Sequence, residues 1–177
     1  MRKQKGFSLI ELLIVVAIIL IIAAIAIPNL LRARIAANES SAVSSIRTIN
    51  TAMVTYNSSY PTVGYSPDLK SLGGATPCIP ASTSACLIDN VLALDGNPAN
   101  SGKSGYNIAA AGTAGAGGLN TTYIAGAAPL NWNQSGIRRF CSVEDAVVRV
   151  DPNTAKSTTP ENTHDTCLSN TYAPLNQ

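Results

Sequence analysis

The chain has 177 residues, of which 46% are hydrophobic and only 12% charged, and its formal net charge is +2. A chain of this length allows one domain plus attachments, and so small a net charge gives no reason to expect nucleic acid or an acidic substrate as a partner. The first thirty residues account for much of the hydrophobicity. The remainder is rich in Ala, Gly, Ser, Thr and Asn, which predicts a small domain with a thin core that needs covalent stabilisation.

An uninterrupted apolar stretch begins at residue 7. Between residues 7 and 27 the only ionisable side chain is Glu11, and about twenty helical residues reach roughly 30 Å, the thickness of a bilayer's hydrocarbon core. Arg2, Lys3 and Lys5 precede the stretch without any acid, which orients that end toward the cytoplasm. The sequence therefore predicts one membrane-spanning helix with the rest of the chain outside the cytoplasm.

A small residue, Gly6, stands before this stretch, whereas the cleavage site of an ordinary secretory signal follows the apolar region. The sequence at this point reads Gly6-Phe7-Ser8-Leu9-Ile10-Glu11, a motif that resembles the class III signal of type IV pilins and the related pseudopilins. The resemblance implies that a prepilin peptidase in the membrane cuts after Gly6 and methylates the new N-terminus, Phe7. Residues 1–6 would then be a leader, while the apolar segment stays in the mature protein.

Glu11 is the residue that a plain membrane anchor leaves unexplained. A carboxylate within an apolar helix is costly unless it is paired, and cleavage would create a positive amine at Phe7. The resemblance implies that Glu11 registers each incoming subunit against the N-terminus of another subunit in a filament. The alternative is a single-pass anchor whose acid lies in the headgroup region. We also assign Pro28 to assembly, because its missing backbone donor predicts a bend in the helix.

The apolar pattern changes from continuous to periodic after residue 36. Apolar residues then recur at three- and four-residue intervals, at Val43, Ile46, Ile49, Met53, Tyr56 and Tyr60. The other face is predicted to carry Ser40, Ser44, Arg47, Asn50 and Ser58. This pattern predicts one long helix, apolar all round in its first half and amphipathic in its second. The helix is expected to end at Tyr60, because the residue before a proline is pushed out of helical geometry.

The remainder of the chain predicts a short helix and a small sheet. A serine, a proline and a closing glycine predict a helix of one or two turns over residues 66–73. Short alternating patterns predict antiparallel strands at residues 105–110, 121–126, 136–141 and 146–150, with a turn at 142–145. The predicted fold class is therefore α+β, a long N-terminal helix packed on a small antiparallel sheet. The predicted divisions are a leader at 1–6, a membrane and filament-core helix at 7–31, an amphipathic helix at 32–60 and a globular head at 61–177.

All four cysteines lie beyond the membrane segment, on the side predicted to be oxidising. Four cysteines allow three pairings, and the sequence alone does not choose among them. We favour Cys78 with Cys86, which closes a short loop, and Cys141 with Cys167, which ties the C-terminal segment to a strand. The second pairing resembles the disulfide-bounded C-terminal region of many pilins. A metal site is the competing interpretation because His164 lies near Cys167, but the chain has neither a C-x-x-C pair nor a second histidine.

Other chemistry finds little support in the sequence. Residues 96–104 lack the first glycine of a phosphate-binding loop, and the only histidine has no nucleophile motif to serve. Four aspartates are candidates for a calcium ligand set or, as we favour, for ordinary surface positions: Asp89, Asp95, Asp151 and Asp165. Three arginines are candidates for a DNA-binding patch or, as we favour, for a solvated strand face: Arg138, Arg139 and Arg149. We therefore expect no enzyme activity, no cofactor and no metal.

The residues and the resemblance together predict a structural subunit of a type IV pilus. It would enter the inner membrane as a prepilin and, through the pilus assembly machinery, polymerise with copies of itself into an extracellular filament. Two alternatives stay open, a pseudopilin of type II secretion and a monomeric membrane-anchored binding protein.

Overall fold

The computed structural model of the chain describes residues 8–175. The chain divides into two compact units, Met1–Arg34 and Ile35–Gln177. Helix α1, Leu9–Ser59, contributes to both. Pro28 lies inside this helix, which continues through it, and the predicted bend at that position stays a prediction. So do the predicted domain boundaries.

Helix α1 ends where the sequence predicts. The Tyr60 N–H donates to the Tyr56 carbonyl oxygen at 2.8 Å, and Pro61 follows. The periodic apolar residues of its second half lie in the core of the larger unit, with Ile46, Ile49, Met53 and Tyr56 fully buried. The apolar period of this segment therefore marks the face that packs on the sheet.

The sheet has five antiparallel strands in the order β1-β2-β3-β4-β5. The strands are β1 Tyr106–Ala114, β2 Asn120–Pro129, β3 Arg139–Val143, β4 Arg149–Asp151 and β5 Ala173–Pro174. Gly126 of β2 pairs with Cys141 of β3, and Cys141 pairs in turn with Arg149 of β4. With helix α1 against it, this sheet confirms the predicted α+β class.

Both faces of strand β2 are covered. Tyr123, Ala125 and Ala127 belong to the core that contains the α1 residues, whereas Ile124 belongs to a second cluster with Cys141 and Cys167. Alternate residues of a strand point to opposite faces, so the helix packs on one face and the C-terminal segment on the other. This double burial explains why β2 is apolar along most of its length.

A glycine permits the close approach of the C-terminal segment to β2. A Cβ built on Gly126 would lie 2.2 Å from the carbonyl oxygen of Glu161, which is far inside van der Waals contact. Helix α3, His164–Leu168, follows and carries Cys167 into the second cluster. The polar tail is therefore held against the sheet by packing as well as by its cysteine.

Three details differ from the sequence predictions. The helix predicted at residues 66–73 is only a 3₁₀ turn, Lys70–Leu72, because the Ser66 carbonyl oxygen accepts a hydrogen bond from Gly112 of β1 at 2.8 Å. Ser142 and Val143, predicted as turn residues, are buried in β3, so the turn comes later. Helix α2, Asn90–Ala93, helix α3 and strand β5 are not predicted from the sequence at all, because each is short.

Candidate assembly segment

The residues proposed for processing and assembly lie at the N-terminus. Gly6 and Phe7, the predicted cleavage and methylation site, lie outside the described residues. Glu11 lies in the first turn of α1, where its Oε2 accepts a hydrogen bond from the Ser8 backbone N–H at 2.9 Å. An acid at this place satisfies one of the free donors of a helix N-terminus and is favoured by the helix dipole.

Glu11 has no cationic partner among residues 8–175. None of the ion pairs within the described part of the chain includes it. Its carboxylate is exposed and still has acceptor sites free. Residues 8–175 of the same chain therefore supply no cation to the Glu11 carboxylate.

The aliphatic side chains around and beyond Glu11 are exposed. The large apolar residues between Leu9 and Leu31 have 43% to 74% of their surface accessible. Helix α1 is also long and apolar enough to cross a membrane. Soluble monomeric proteins rarely expose a contiguous apolar surface of this kind, so this segment needs a membrane or other apolar partners to cover it.

Arg32 and Arg34 come directly after this apolar segment. Both side chains are exposed, and neither takes part in an ion pair within the described chain. Arginine side chains at the end of an apolar helix reach lipid headgroups while their aliphatic stems stay in apolar surroundings. The same two cations are equally able to meet acidic groups of a neighbouring molecule.

A buried acid, Glu39, ties helix α1 to the strand segment before β3. Its Oε2 accepts from Nε and Nη2 of Arg138 at 2.9 and 2.7 Å, and its Oε1 accepts from the backbone N–H groups of Ile137 and Arg138. Both guanidinium hydrogen bonds go to one carboxylate oxygen, and because both partners are charged each bond is stronger than one between neutral groups. The role of Glu39 was not predicted from the sequence, although Glu39 lies four residues before Val43 and seven before Ile46, on the apolar face of the helix.

Asn50 was predicted to lie on the exposed face of the helix, and this prediction is wrong. Only 4% of Asn50 is exposed. Its Nδ2 donates to the Ser142 hydroxyl at 2.9 Å, and its Oδ1 accepts from the Tyr123 hydroxyl at 3.2 Å. Asn50 lies three residues before Met53 and four after Ile46, so helical spacing places it on the buried face, where an amide is tolerated because its partners are present.

The three arginines considered for a DNA-binding patch are each paired with a different carboxylate. Arg138 pairs with Glu39, Arg139 with Asp151 and Arg149 with Asp145. The Arg149 guanidinium also holds the pKa of Asp145 below its usual range. Because each guanidinium is already paired with a carboxylate of the same domain, the three arginines do not form a basic surface of the kind that phosphates need.

The four aspartates considered for a calcium site each contact a different group. Asp89 caps helix α2 by accepting from the Leu92 N–H, and Asp95 accepts from the Ile108 N–H at 2.8 Å. Asp151 pairs with Arg139, while Asp165 contacts His164. Among residues 8–175 no group of three or more His, Cys, Asp or Glu side chains is placed to hold a metal ion.

His164 contacts carboxylates. Its Nε2 lies 3.0 Å from Glu144 Oε1 and its Nδ1 lies 3.1 Å from Asp165 Oδ1. Burial lowers the pKa of His164, but the two carboxylates more than offset that effect, and the net pKa lies above the ordinary value. The histidine therefore joins the β3–β4 turn to helix α3 by an ion pair when it is protonated.

The structure joins Cys78 to Cys86 and Cys141 to Cys167. The first bond closes a short exposed loop, while both sulfurs of the second lie in the buried cluster of Ile124, Val143 and Tyr172. The predicted disulfide-bounded C-terminal region is confirmed. All four cysteines are used, and none is free for metal binding.

The N-terminal segment is similar to known proteins. A family model described as the prokaryotic N-terminal methylation motif matches residues 1–27. The chain carries a prokaryotic N-terminal methylation motif. This match begins before the described residues and covers Gly6, Phe7 and Glu11 together.

Curated relatives of this methylation-motif segment include both pilins and secretion proteins. The chain is 68% identical over 40 residues to the type IV wide pilus major component of Thermus thermophilus, covering 23% of this chain and 30% of the relative. It is 43% identical over 65 residues to the type II secretion system core protein G of Vibrio cholerae, covering 35% and 44%. It is 44% identical over 54 residues to the type IV major pilin protein of Myxococcus xanthus, covering 30% and 24%. The predicted resemblance to type IV pilins and pseudopilins is confirmed.

The likeness is confined to part of each protein. The matched stretch spans less than half the length of these curated relatives. No solved structure matches the chain. The methylation-motif segment is thus related to structural pilin and pseudopilin proteins, while the larger unit is described by its own fold alone.

Proposed function

We propose that the chain is the structural subunit of a type IV pilus. In this proposal the peptidase removes residues 1–6 and methylates Phe7, and the inner membrane holds the prepilin through its apolar helix. The assembly machinery then polymerises the mature subunit with copies of itself into a surface filament. The observation that carries the proposal is the long exposed aliphatic segment with Glu11 as its single acid, most of which lies within the stretch that the methylation-motif model matches.

The physics of the segment supports polymerisation. When helices leave lipid and pack on one another, dispersion contacts and close packing replace lipid contacts along their whole length. A head-to-tail contact between unlike surfaces does not close on itself, so it continues into a helical fibre. The Glu11 carboxylate, which lacks a cationic partner within residues 8–175, is suited to the methylated amine that cleavage would create on a neighbouring subunit.

Mass spectrometry of the mature chain purified from sheared surface fibres tests this proposal. We expect an N-terminal Phe7 carrying one methyl group, with both disulfides intact. A mature chain that begins after Pro28 would contradict the proposal, because the apolar segment would then have been discarded.

Substitution of Glu11 separates processing from assembly. For Glu11→Ala we expect cleavage after Gly6 to persist while fibre yield collapses, because the neighbouring amine then lacks its partner. Loss of one member of a buried ion pair costs about 3 kcal/mol, which corresponds to roughly a hundredfold weaker association. Fibre yield is measured by immunoblot of the sheared fraction. Normal yield from the variant would remove the assembly role of Glu11.

A pseudopilin of type II secretion is the second candidate function. It is favoured by the similarity to core protein G, which extends over 65 residues rather than the 40 shared with the Thermus protein. The two functions are distinguished by what the cell assembles, since only a pilus subunit is expected to form long surface fibres at native expression. Loss of protein secretion without loss of fibres in a deletion strain would favour the pseudopilin.

A monomeric membrane-anchored binding protein is the remaining alternative. Negative-stain images of sheared surface material, labelled with an antibody to the globular unit, distinguish it from both filament proteins. Label confined to membranes, with no fibres, would favour the monomeric anchor.

A further inference from the structure

A groove lies between the second half of helix α1 and the turn that joins β3 to β4. The groove has a volume of about 480 Å³ and lies within the larger unit. It is lined by Arg47, Asn50, Thr51, Val54, Thr55 and Ala146. Val54 and Val147, the residue after Ala146, are 50% and 41% exposed. The groove therefore offers apolar surface between a helix and the β3–β4 turn.

The polar side chains that line this groove already form hydrogen bonds within the chain, with one exception. The Thr51 and Thr55 hydroxyls donate to the carbonyl oxygens of Arg47 and Thr51 at 3.1 and 2.9 Å. Asn50 is occupied by Ser142 and Tyr123. An apolar occupant covers such a surface without leaving buried donors or acceptors unpaired, which is the usual cost of covering polar side chains.

The exception is Arg47. It is exposed and takes part in no ion pair among residues 8–175. The acids beside Ala146 are committed elsewhere, since Asp145 pairs with Arg149 and Glu144 contacts His164. An aliphatic occupant that brings one carboxylate would therefore complement both the surface and the charge of the groove.

We propose that the groove binds the first turns of the apolar segment, residues 8–31, of a second copy of the chain, with Glu11 accepting from Arg47. That segment is exposed, aliphatic and contains one acid and no base, so its charge and surface complement those of the groove. A carboxylate has about four acceptor sites, which leaves room for an N-terminal amine on Glu11 as well. This inference rests on the proposed polymerisation and adds to it the surface of the globular unit that each helix contacts.

Photo-crosslinking from the groove tests the inference in assembled fibres. Benzoylphenylalanine replaces Thr51 in the full chain, and Lys70, an exposed residue that does not line the groove, carries the probe in the control. We expect the probe at residue 51 to link to residues 8–31 of another copy, and the probe at residue 70 not to. Fibres whose residue-51 probe links only to residues 60–175, to lipid or to nothing would overturn the inference while leaving polymerisation intact. Absence of fibres from the unsubstituted chain would overturn the proposed function and this inference with it.

Charge reversal provides a second test. For Arg47→Glu we expect at least a tenfold loss of fibre yield, because two carboxylates would then meet in an apolar contact. Lys70→Glu makes the same charge change outside the groove and should leave the yield within twofold. Equal yields from the two variants, with both chains processed and folded by circular dichroism, would overturn the pairing of Arg47 with Glu11.

Discussion

Two acids of helix α1 show how the position of a residue decides what its charge does. Glu39 is buried and accepts four hydrogen bonds from Ile137 and Arg138. Glu11 is exposed, and the only hydrogen bond to its side chain among the described residues comes from Ser8. A buried carboxylate is retained only where its partners are present, so Glu39 is committed to the fold, whereas Glu11 is available for a contact between molecules.

Replacement of Glu39 should destabilise the globular unit. For Glu39→Gln we expect a loss of about 2 kcal/mol in the free energy of unfolding, less than the roughly 3 kcal/mol of a fully buried pair because Arg138 remains 45% exposed. Lys103→Gln is the matched control, since the Lys103–Asp89 pair is exposed and its loss should cost less than about 0.5 kcal/mol. Urea unfolding of the detergent-solubilised chain measures both. Equal losses would show that the Glu39 contacts do not hold the helix to the sheet.

His164 should make stability depend on pH. Because its pKa is raised in the folded chain, the ion pair with Glu144 contributes fully below the unfolded value of 6.5 and is lost as pH rises through the folded pKa. The contribution is expected to be under about 1 kcal/mol, since the pair is partly solvated. The measurement compares the unfolding free energies of the unsubstituted chain and His164→Gln across this range. A difference that grows with pH would contradict the assigned pair.

The two disulfides differ in the length of the loop that they close and in their burial. Cys78–Cys86 closes 8 residues in an exposed loop, whereas Cys141–Cys167 closes 26 residues and lies in the buried cluster under the sheet. A longer closed loop restricts the unfolded chain more. The second bond also holds helix α3 against β2 and β3, so its loss should affect packing as well as chain entropy.

Removal of each disulfide by paired alanine substitution tests this difference. We expect the Cys78→Ala/Cys86→Ala chain to lose about 2.5 kcal/mol and the Cys141→Ala/Cys167→Ala chain at least about 3.5 kcal/mol by the loop-entropy relation. Thermal unfolding followed by circular dichroism measures the order. A larger loss from the exposed loop would show that loop length and burial do not set the contributions.

The ends of the strands could not be predicted from the alternating sequence patterns. The predicted turn at residues 142–145 begins two residues too early, because Ser142 is held in β3 by Asn50 and Val143 packs in the second cluster. The long helix was predictable because its period repeats over many turns. The strand boundaries were not, since partners distant in sequence decide them.

At the scale of the whole molecule, the core of the globular part lies entirely within the unit Ile35–Gln177. A chain that begins at Ile35 should therefore fold with a cooperative thermal transition, remain monomeric and form no fibres, because it lacks the aliphatic segment. Size-exclusion chromatography and circular dichroism check this result. Fibres from the shortened chain would show that polymerisation does not depend on residues 8–31.

The sequence by itself determined the apolar segment with its lone acid, the methylation motif, the long helix and the α+β class, because these depend on composition and short-range periodicity. Only the tertiary structure decided which distant groups Asn50 and Glu39 bind, that three arginines form separate ion pairs, and that Arg47, which has no ion-pair partner in residues 8–175, lines a groove. The physical reason is that burial and pairing join residues about a hundred positions apart, as Glu39 and Arg138 do. Local patterns carry no information about which distant side chain will supply the partner.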